Sequence, residues 1–317
     1  MKHRTLSSLG MLVVALMLLA LAMPVSAAGE GNTLRVGPGQ EYESIQEAVN
    51  AAKQGGKILV YPDLYEESVT ATTYNLQIIA QGDSVVVTPP EAQPGFDVNA
   101  DHVTVRGFEI SGAVCASGIT FQGSHNTFAE NHIHGFTGPC RTTALHCADD
   151  DGGSDHNTIE GNVLSGTDGD GAYHGIHISA GSDTLNEGNV IKNNTITGME
   201  GTGIYVVNGT SVRISGNNIQ DCGLGIVLEA GSGAVSTHNH VASNTVSLIG
   251  RDGLRLTAGP GATVSNNLLL GNLIYHYAAN GIALSAGSDH NSILNNEVQT
   301  GDVGIAIAGD YNLIAHN

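Results

Sequence analysis

An asparagine returns in one frame eight times along this 317-residue chain, inside the unit apolar-x-x-Asn-x-apolar. The instances are Phe128..Asn131..Ile133, Ile159..Asn162..Leu164, Ile191..Asn194..Ile196, Ile214..Asn217..Ile219, Val241..Asn244..Val246, Val264..Asn267..Leu269, Ile293..Asn296..Val298 and Ile314..Asn317. Successive asparagines lie roughly 21 to 32 residues apart, the length of one coil of a solenoid. Such a repeat fixes the architecture before any motif is read. It also strips many polar residues of functional meaning, because whatever recurs in every coil holds the stack together.

A second unit runs beside the first, a small residue followed by apolar-x-apolar. It reads Gly118-Ile119-Thr120-Phe121, Ala144-Leu145-His146-Cys147, Gly175-Ile176-His177-Ile178 and Gly203-Ile204-Tyr205-Val206, and continues through Gly225, Gly253, Gly281 and Gly304. Period-two alternation makes each a strand with one face in and one face out. Every coil is therefore expected to carry three short strands: this one, one before the asparagine and one after it. Asparagine tolerates a left-handed backbone in a two-residue bend, and stacked amides hydrogen-bond along a ladder. His125, His156, His238 and His290 recur just before Asn126, Asn157, Asn239 and Asn291, so they too are read as parts of the repeat.

The chain ends frame this repeat. Lys2, His3 and Arg4, the apolar run Leu9 to Ala22 and the small-residue pattern Val25-Ser26-Ala27 mark residues 1–27 as a secretory signal peptide. The product is expected to be secreted, periplasmic or cell-surface, with no further stretch able to span a bilayer. Residues 28–317 then form one elongated domain. Within it, residues 28–62 read as an N-terminal cap: a strand at Leu34 to Val36, a short amphipathic helix from Ser44 to Lys53 and a strand from Lys57. Ser44 and Glu47 have capping-box spacing. No cap is recognisable at the C-terminal end, which suggests a partner there or a missing segment. Of four cysteines, Cys115 and Cys140 lie about one coil apart and are the candidates for a disulfide; Cys147 and Cys222 read as buried apolar residues.

These units resemble the right-handed parallel β-helix superfamily, which includes pectate-lyase-like enzymes and repeat proteins related to a periplasmic copper-maturation protein. The run Val36-Gly37-Pro38-Gly39 with Ser44-Ile45-Gln46-Glu47-Ala48 is similar to the entry cap often found there. The resemblance implies an all-β fold, a right-handed parallel β-helix of about ten three-strand coils with a short N-terminal capping helix. It implies little about function, because sites are grafted onto folds. Polygalacturonases carry paired aspartates entering a strand; here Asp149-Asp150 leave one, and the family's Asn-Thr-Asp motif is absent. Mannuronan C5-epimerases and related alginate lyases pair Tyr, His, Asp and a basic residue on this sheet. Leu145-His146-Cys147-Ala148-Asp149 followed by His174-Gly175-Ile176 is similar in style, without the signature Asp-Pro-His-Asp.

The chemistry is sought where the repeat changes from coil to coil. The outward residues of the first strand are Thr120, His146, His177, Tyr205, Val227, Arg255, Ala283 and Ala306. Neighbouring coils are about 4.8 Å apart, so these residues should form a column. The longest insertions, Gly135 to Thr143 and Ser165 to His174, fall beside it and would wall a groove. His146, His177 and Tyr205 are candidates to move protons, and Arg255 to hold a carboxylate. Asp149, Asp151 and Asp155 after one strand, and Asp168 and Asp170 before the next, are candidates to bind Ca²⁺. A zinc site at His174 and His177 is disfavoured, since alternation would turn them to opposite faces.

A net charge of −19 disfavours nucleic acids and anionic membranes. It would also repel an acidic polysaccharide unless a cation or a local basic group mediates. The reading reached is an exported protein that binds and modifies a uronate-containing polysaccharide by β-elimination or C5-epimerisation. The alternative is a non-catalytic carbohydrate- or protein-binding module. A role in metal-site maturation rests on resemblance alone, with no Met- or Cys-rich cluster behind it.

Overall fold

The computed structural model describes residues 32–136, 138, 140, 142–148, 154–166, 172–181 and 184–317. The expected signal peptide lies outside them. The described chain winds through three main short strands per coil, paired in parallel with their equivalents in neighbouring coils, and a short extra strand in four coils (Asn186–Glu187, Gly209–Thr210, Val235–Thr237 and Thr263–Ser265) forms a small sheet of its own. One face is a 12-stranded sheet that begins with Thr33–Val36 and ends with Leu313–Ala315. The other two faces join into a 16-stranded sheet, because strands such as Thr195–Val207 and Asn218–Ala230 run round a corner from one face to the next.

Inside the coils the side chains form one apolar core. Phe96, Phe108, Phe121 and Phe128 fill the N-terminal part, and Ile, Val and Leu continue it, as in Ile176, Ile204, Ile226, Leu254 and Ile282. The small residue before each site-face strand marks that corner. At Gly203 an added Cβ would lie 2.5 Å from Ile219 Cγ2, so nothing larger fits without displacing the core.

At the N-terminal end the helix Ile45–Ala51 buries Ile45, Ala48 and Val49 over the first coil. The Ser44 side chain accepts a hydrogen bond from the Glu47 N–H at 3.3 Å, as its spacing predicts. The carboxylate opposite it comes from Glu67 of the following coil. Glu67 accepts from the N–H groups of Ile45 (2.7 Å) and Gln46 (3.0 Å) and from the Ser44 hydroxyl (2.7 Å). The orphan amides of the first turn are thus satisfied from outside the helix.

The asparagines form two ladders. In the first, Asn131, Asn162, Asn194, Asn217, Asn244, Asn272, Asn296 and Asn317 follow one another coil by coil. Asn267 belongs to the second ladder, where it links Asn239 to Asn291, so its place in the sequence frame is corrected to Asn272. Leu269..Asn272..Ile274 matches the repeat unit as well as Val264..Asn267..Leu269 does, and only the coil register separates them. The left-handed backbone also sits one residue earlier than expected. Glu130, Asn193, Ser243 and Asn295 have φ near 55°, while the ladder asparagine that follows each one turns inward. At the second bend the same position is held by His125, His156, His238 and His290. Their recurrence is that of a bend residue. His102, His125 and His156 stack along the outside, with ring centroids 4.7 and 5.1 Å apart.

Cys115 and Cys140 form a disulfide, and Cys147 and Cys222 are buried and outside any disulfide. Burial pushes the Cys222 thiol up to about 12.

Candidate active site

Strand pairing places the expected column in one register. Thr120 lies beside His146, His146 beside His177, His177 beside Tyr205, Tyr205 beside Val227, Val227 beside Arg255, and Arg255 beside Ala283. The three rings stack nearly parallel. His146 and His177 have centroids 5.1 Å apart at 10°, and His177 and Tyr205 4.8 Å apart at 8°. These separations match the spacing of the coils, so the parallel sheet itself sets the stack.

Within it, His177 is the inner ring. It is half-buried, and its Nε2 is sealed from solvent without a hydrogen-bond partner. Burial, reinforced by the neighbouring His174 and His146, pushes its pKa down to about 3, so it stays neutral over the ordinary pH range. The ring that meets the open cleft is Tyr205. Its hydroxyl donates to Glu229 Oε2 at 2.7 Å, and burial together with that carboxylate holds the phenol well above its usual range.

His174 is on the same side as His177, contrary to the alternation argument. Their centroids are 5.2 Å apart, and His174 lies 5.3 Å from Tyr205. The strand turns its corner at Gly175, where Gly175 and Ile176 are buried in succession, and strict alternation ends there. His174 Nδ1 accepts a hydrogen bond from the Thr202 N–H at 3.1 Å, which puts the proton of a neutral imidazole on Nε2. Tyr173 packs edge-on against His174 at 4.4 Å.

Tyr173, His174, Thr202, Tyr205, Glu229 and Arg255 line one cleft of about 360 Å³. Arg255 is half-buried, with Nη1 3.6 Å from Asp252 Oδ2, and it also lines a second cleft with Asn280 and Ala283. Buried Val227 separates its rung from that of Tyr205, a gap of roughly 10 Å. The cleft therefore offers a protonated phenol, a carboxylate bonded to it, an imidazole and one guanidinium.

Glu229 is the member that the sequence reading passed over. It stands two residues after Val227, so period-two alternation puts it on the same outward face. Following the second outward residue of each strand as well as the first would have found it. Of the acidic candidates, Asp149, Asp151, Asp168 and Asp170 lie outside the described residues. Asp155 is described, and its Oδ1 accepts from the Glu187 N–H at 2.7 Å, where it braces a bend between coils. Among the described residues no group of three or more His, Cys, Asp or Glu side chains is placed to hold a metal ion.

A family profile for the right-handed β-helix region matches residues 94–269 and 153–317. The chain belongs to this family. No curated protein sequence matches it. Among solved structures, this β-helix is similar to the A-module of a mannuronan C-5 epimerase from Azotobacter vinelandii, at 14% identity over 86% of this chain and 92% of that one, with a TM-score of 0.54. It is also similar to a DFA-IIIase from Arthrobacter chlorophenolicus in complex with DFA-III, at 14% identity over 89% and 84%, TM-score 0.61. A third is an endopolygalacturonase from Stereum purpureum complexed with two galacturonates, at 15% identity over 82% and 94%, TM-score 0.60. At such identities these likenesses speak for the fold.

Proposed function

We propose that this β-helix binds a uronate-containing polysaccharide and removes the proton beside the sugar carboxylate, leading to β-elimination or C5-epimerisation. The observation that carries the reading is the Tyr205–Glu229 pair facing Arg255 across one cleft. Two of the similar structures, the mannuronan epimerase and the endopolygalacturonase with galacturonate, support a uronate as the sugar class.

Arg255 would bind the sugar carboxylate and stabilise the charge that develops when C5 loses its proton. Glu229 would take that proton. Tyr205, kept protonated by its surroundings, would deliver its own proton. Delivery to the glycosidic oxygen breaks the C4–O4 bond and leaves a C4–C5 double bond; the proton gained by Glu229 then returns to the Tyr205 phenolate along their hydrogen bond, and the pair is reset. Inversion of C5 would instead need a proton delivered to its opposite face by a donor outside this hydrogen-bonded pair, such as water, with Glu229 releasing its proton to solvent. His174, which lines the same cleft, would pack against the substrate. His146 and His177 would act as positioning residues that fix the Tyr205 ring by stacking. Ca²⁺ held by the acidic loops would supply further neutralisation of the carboxylates, a role carried here as a proposal about Asp149, Asp151, Asp155, Asp168 and Asp170.

The test is incubation of residues 28–317 with alginate and pectate, with Ca²⁺ or with a chelator, followed by proton NMR for unsaturated ends and inverted sugars. Product supports the reading, and its loss on chelation supports the calcium role. Saturable binding without product would replace it with a carbohydrate-binding module.

A further inference from the structure

A third cleft, of about 410 Å³, opens on the same sheet face near the N-terminal end of the stack, lined by Thr72, Tyr74, Asn99, Asp101, Gln122 and Gly123 among others. We propose that it is a saccharide-binding site for an uncharged sugar unit, separate from the reaction centre. Its composition points to that ligand. Tyr74 is 44% exposed, and its ring is braced edge-on by His102 at 5.0 Å, so it offers a fixed apolar surface to solvent. A sugar ring presents just such a face of C–H groups, rimmed by hydroxyls that both donate and accept.

The polar groups beside Tyr74 suit those hydroxyls. Asn99 donates from Nδ2 to Asp97 Oδ2 at 2.9 Å, which orients its amide and leaves the carbonyl oxygen as an acceptor. Asp101 accepts the Ser124 N–H through Oδ1 at 2.8 Å, and its other oxygen remains for a ligand. Gln122 stands beside Asn99 on the next strand. Gly123 keeps the floor open: with φ at +102°, an added Cβ would lie 2.7 Å from Asp101 Oδ1 and 2.8 Å from the Ala100 carbonyl oxygen. No lysine or arginine lines this cleft, and the carboxylates of Asp97 and Asp101 would repel a uronate. The class selected is therefore a neutral sugar.

Its position gives the site a use. Asp97, Thr120, His146, His177 and Tyr205 are successive rungs of one column. Four rungs, roughly 19 Å, separate this cleft from Tyr205. A short oligosaccharide segment spans that distance, so one polymer chain carrying neutral and acidic units can reach both. The site rests on its own residues, and its test reads binding alone, so it stands or falls apart from the proposed reaction.

The experiment is titration of the full chain with cellohexaose, xylohexaose and mannohexaose, by calorimetry and saturation-transfer NMR. The expected result is binding of at least one hexasaccharide, weakened roughly tenfold in Tyr74→Ala and weakened in Asn99→Ala. Asn99→Ala serves as the second variant should Tyr74→Ala lose the folded melting transition. Failure of all three sugars to bind, or binding unaffected in the folded variants of Tyr74 and Asn99, overturns the proposal.

Discussion

Two ladders climb this molecule in the same register and do opposite things. The asparagine ladder from Asn131 to Asn296 is buried and hydrogen-bonded from coil to coil. Asn194, for example, accepts from the backbone and side-chain amides of Asn162 and donates to the Ile159 carbonyl and to Asn217. The ring column on the site face repeats the same spacing with different residues: His146, His177, Tyr205, Val227, Arg255. Tyr205 and Arg255 line a cleft, and the His177 Nε2 is buried without a partner. Repetition with every bond satisfied holds coils together. Repetition whose residue changes from coil to coil concentrates unlike groups in one place, which is what proton transfer needs.

The sharpest way to break this comparison is to alter one rung of each ladder. Tyr205→Phe removes one oxygen from the column, and uronate turnover is expected to fall about 10²- to 10⁴-fold while the melting temperature stays close to that of the parent. Asn194→Ala removes one rung of the other ladder and leaves the buried Asn162 N–H unpaired. Denaturant unfolding should report a loss of about 2–4 kcal/mol, with turnover per folded molecule retained. If Asn194→Ala abolished turnover at full stability, the division between the ladders would fail.

A smaller effect is expected from the inner ring of the column. The His177 pKa is depressed in the folded state to about 3 from an ordinary 6.5. Below 6.5 the unfolded chain therefore takes up a proton that the folded chain refuses, and stability falls as pH drops from about 6.5 towards 3. Compared with His177→Gln, the parent should lose roughly 1–3 kcal/mol more across that window, allowing for partial exposure of the ring. Equal pH slopes for the two proteins would contradict the buried, neutral role. The smallest change belongs to neither ladder. Arg106 reaches across one coil to Glu130 at 2.8 Å, but both side chains are at least half exposed. Arg106→Ala should cost less than about 1 kcal/mol in the same unfolding measurement.

The same contrast explains what the sequence disclosed. Hydrophobic periodicity and the coil length were enough for the three strands per coil and for the register of Thr120 through Ala306, because one misplaced residue would turn an apolar face outward. The disulfide partners were legible for the same reason, being one coil apart. The bends were less so. Asn267 and Asn272 fit the repeat unit equally well, and local sequence cannot say which bend each occupies. His174 was misplaced because alternation holds along a strand and ends at a corner, which Gly175 provides. Glu229 was passed over because it stands on the second outward position of its strand, two residues after apolar Val227. The fold rests on a pattern repeated many times, whereas the candidate site depends on single residues at corners and strand ends, where pattern is weakest.

The most direct measurement of the central claim is proton exchange at the sugar itself. Alginate and pectate incubated with the protein in D₂O, and analysed by NMR and mass spectrometry, would report deuterium at C5 of epimerised units or loss of the C5 proton in unsaturated ends. The account predicts deuterium incorporation or unsaturation with the parent protein, and neither with Tyr205→Phe or Glu229→Gln. Uronates whose C5 protons remain untouched by the parent protein, or are exchanged equally by both variants, would contradict it.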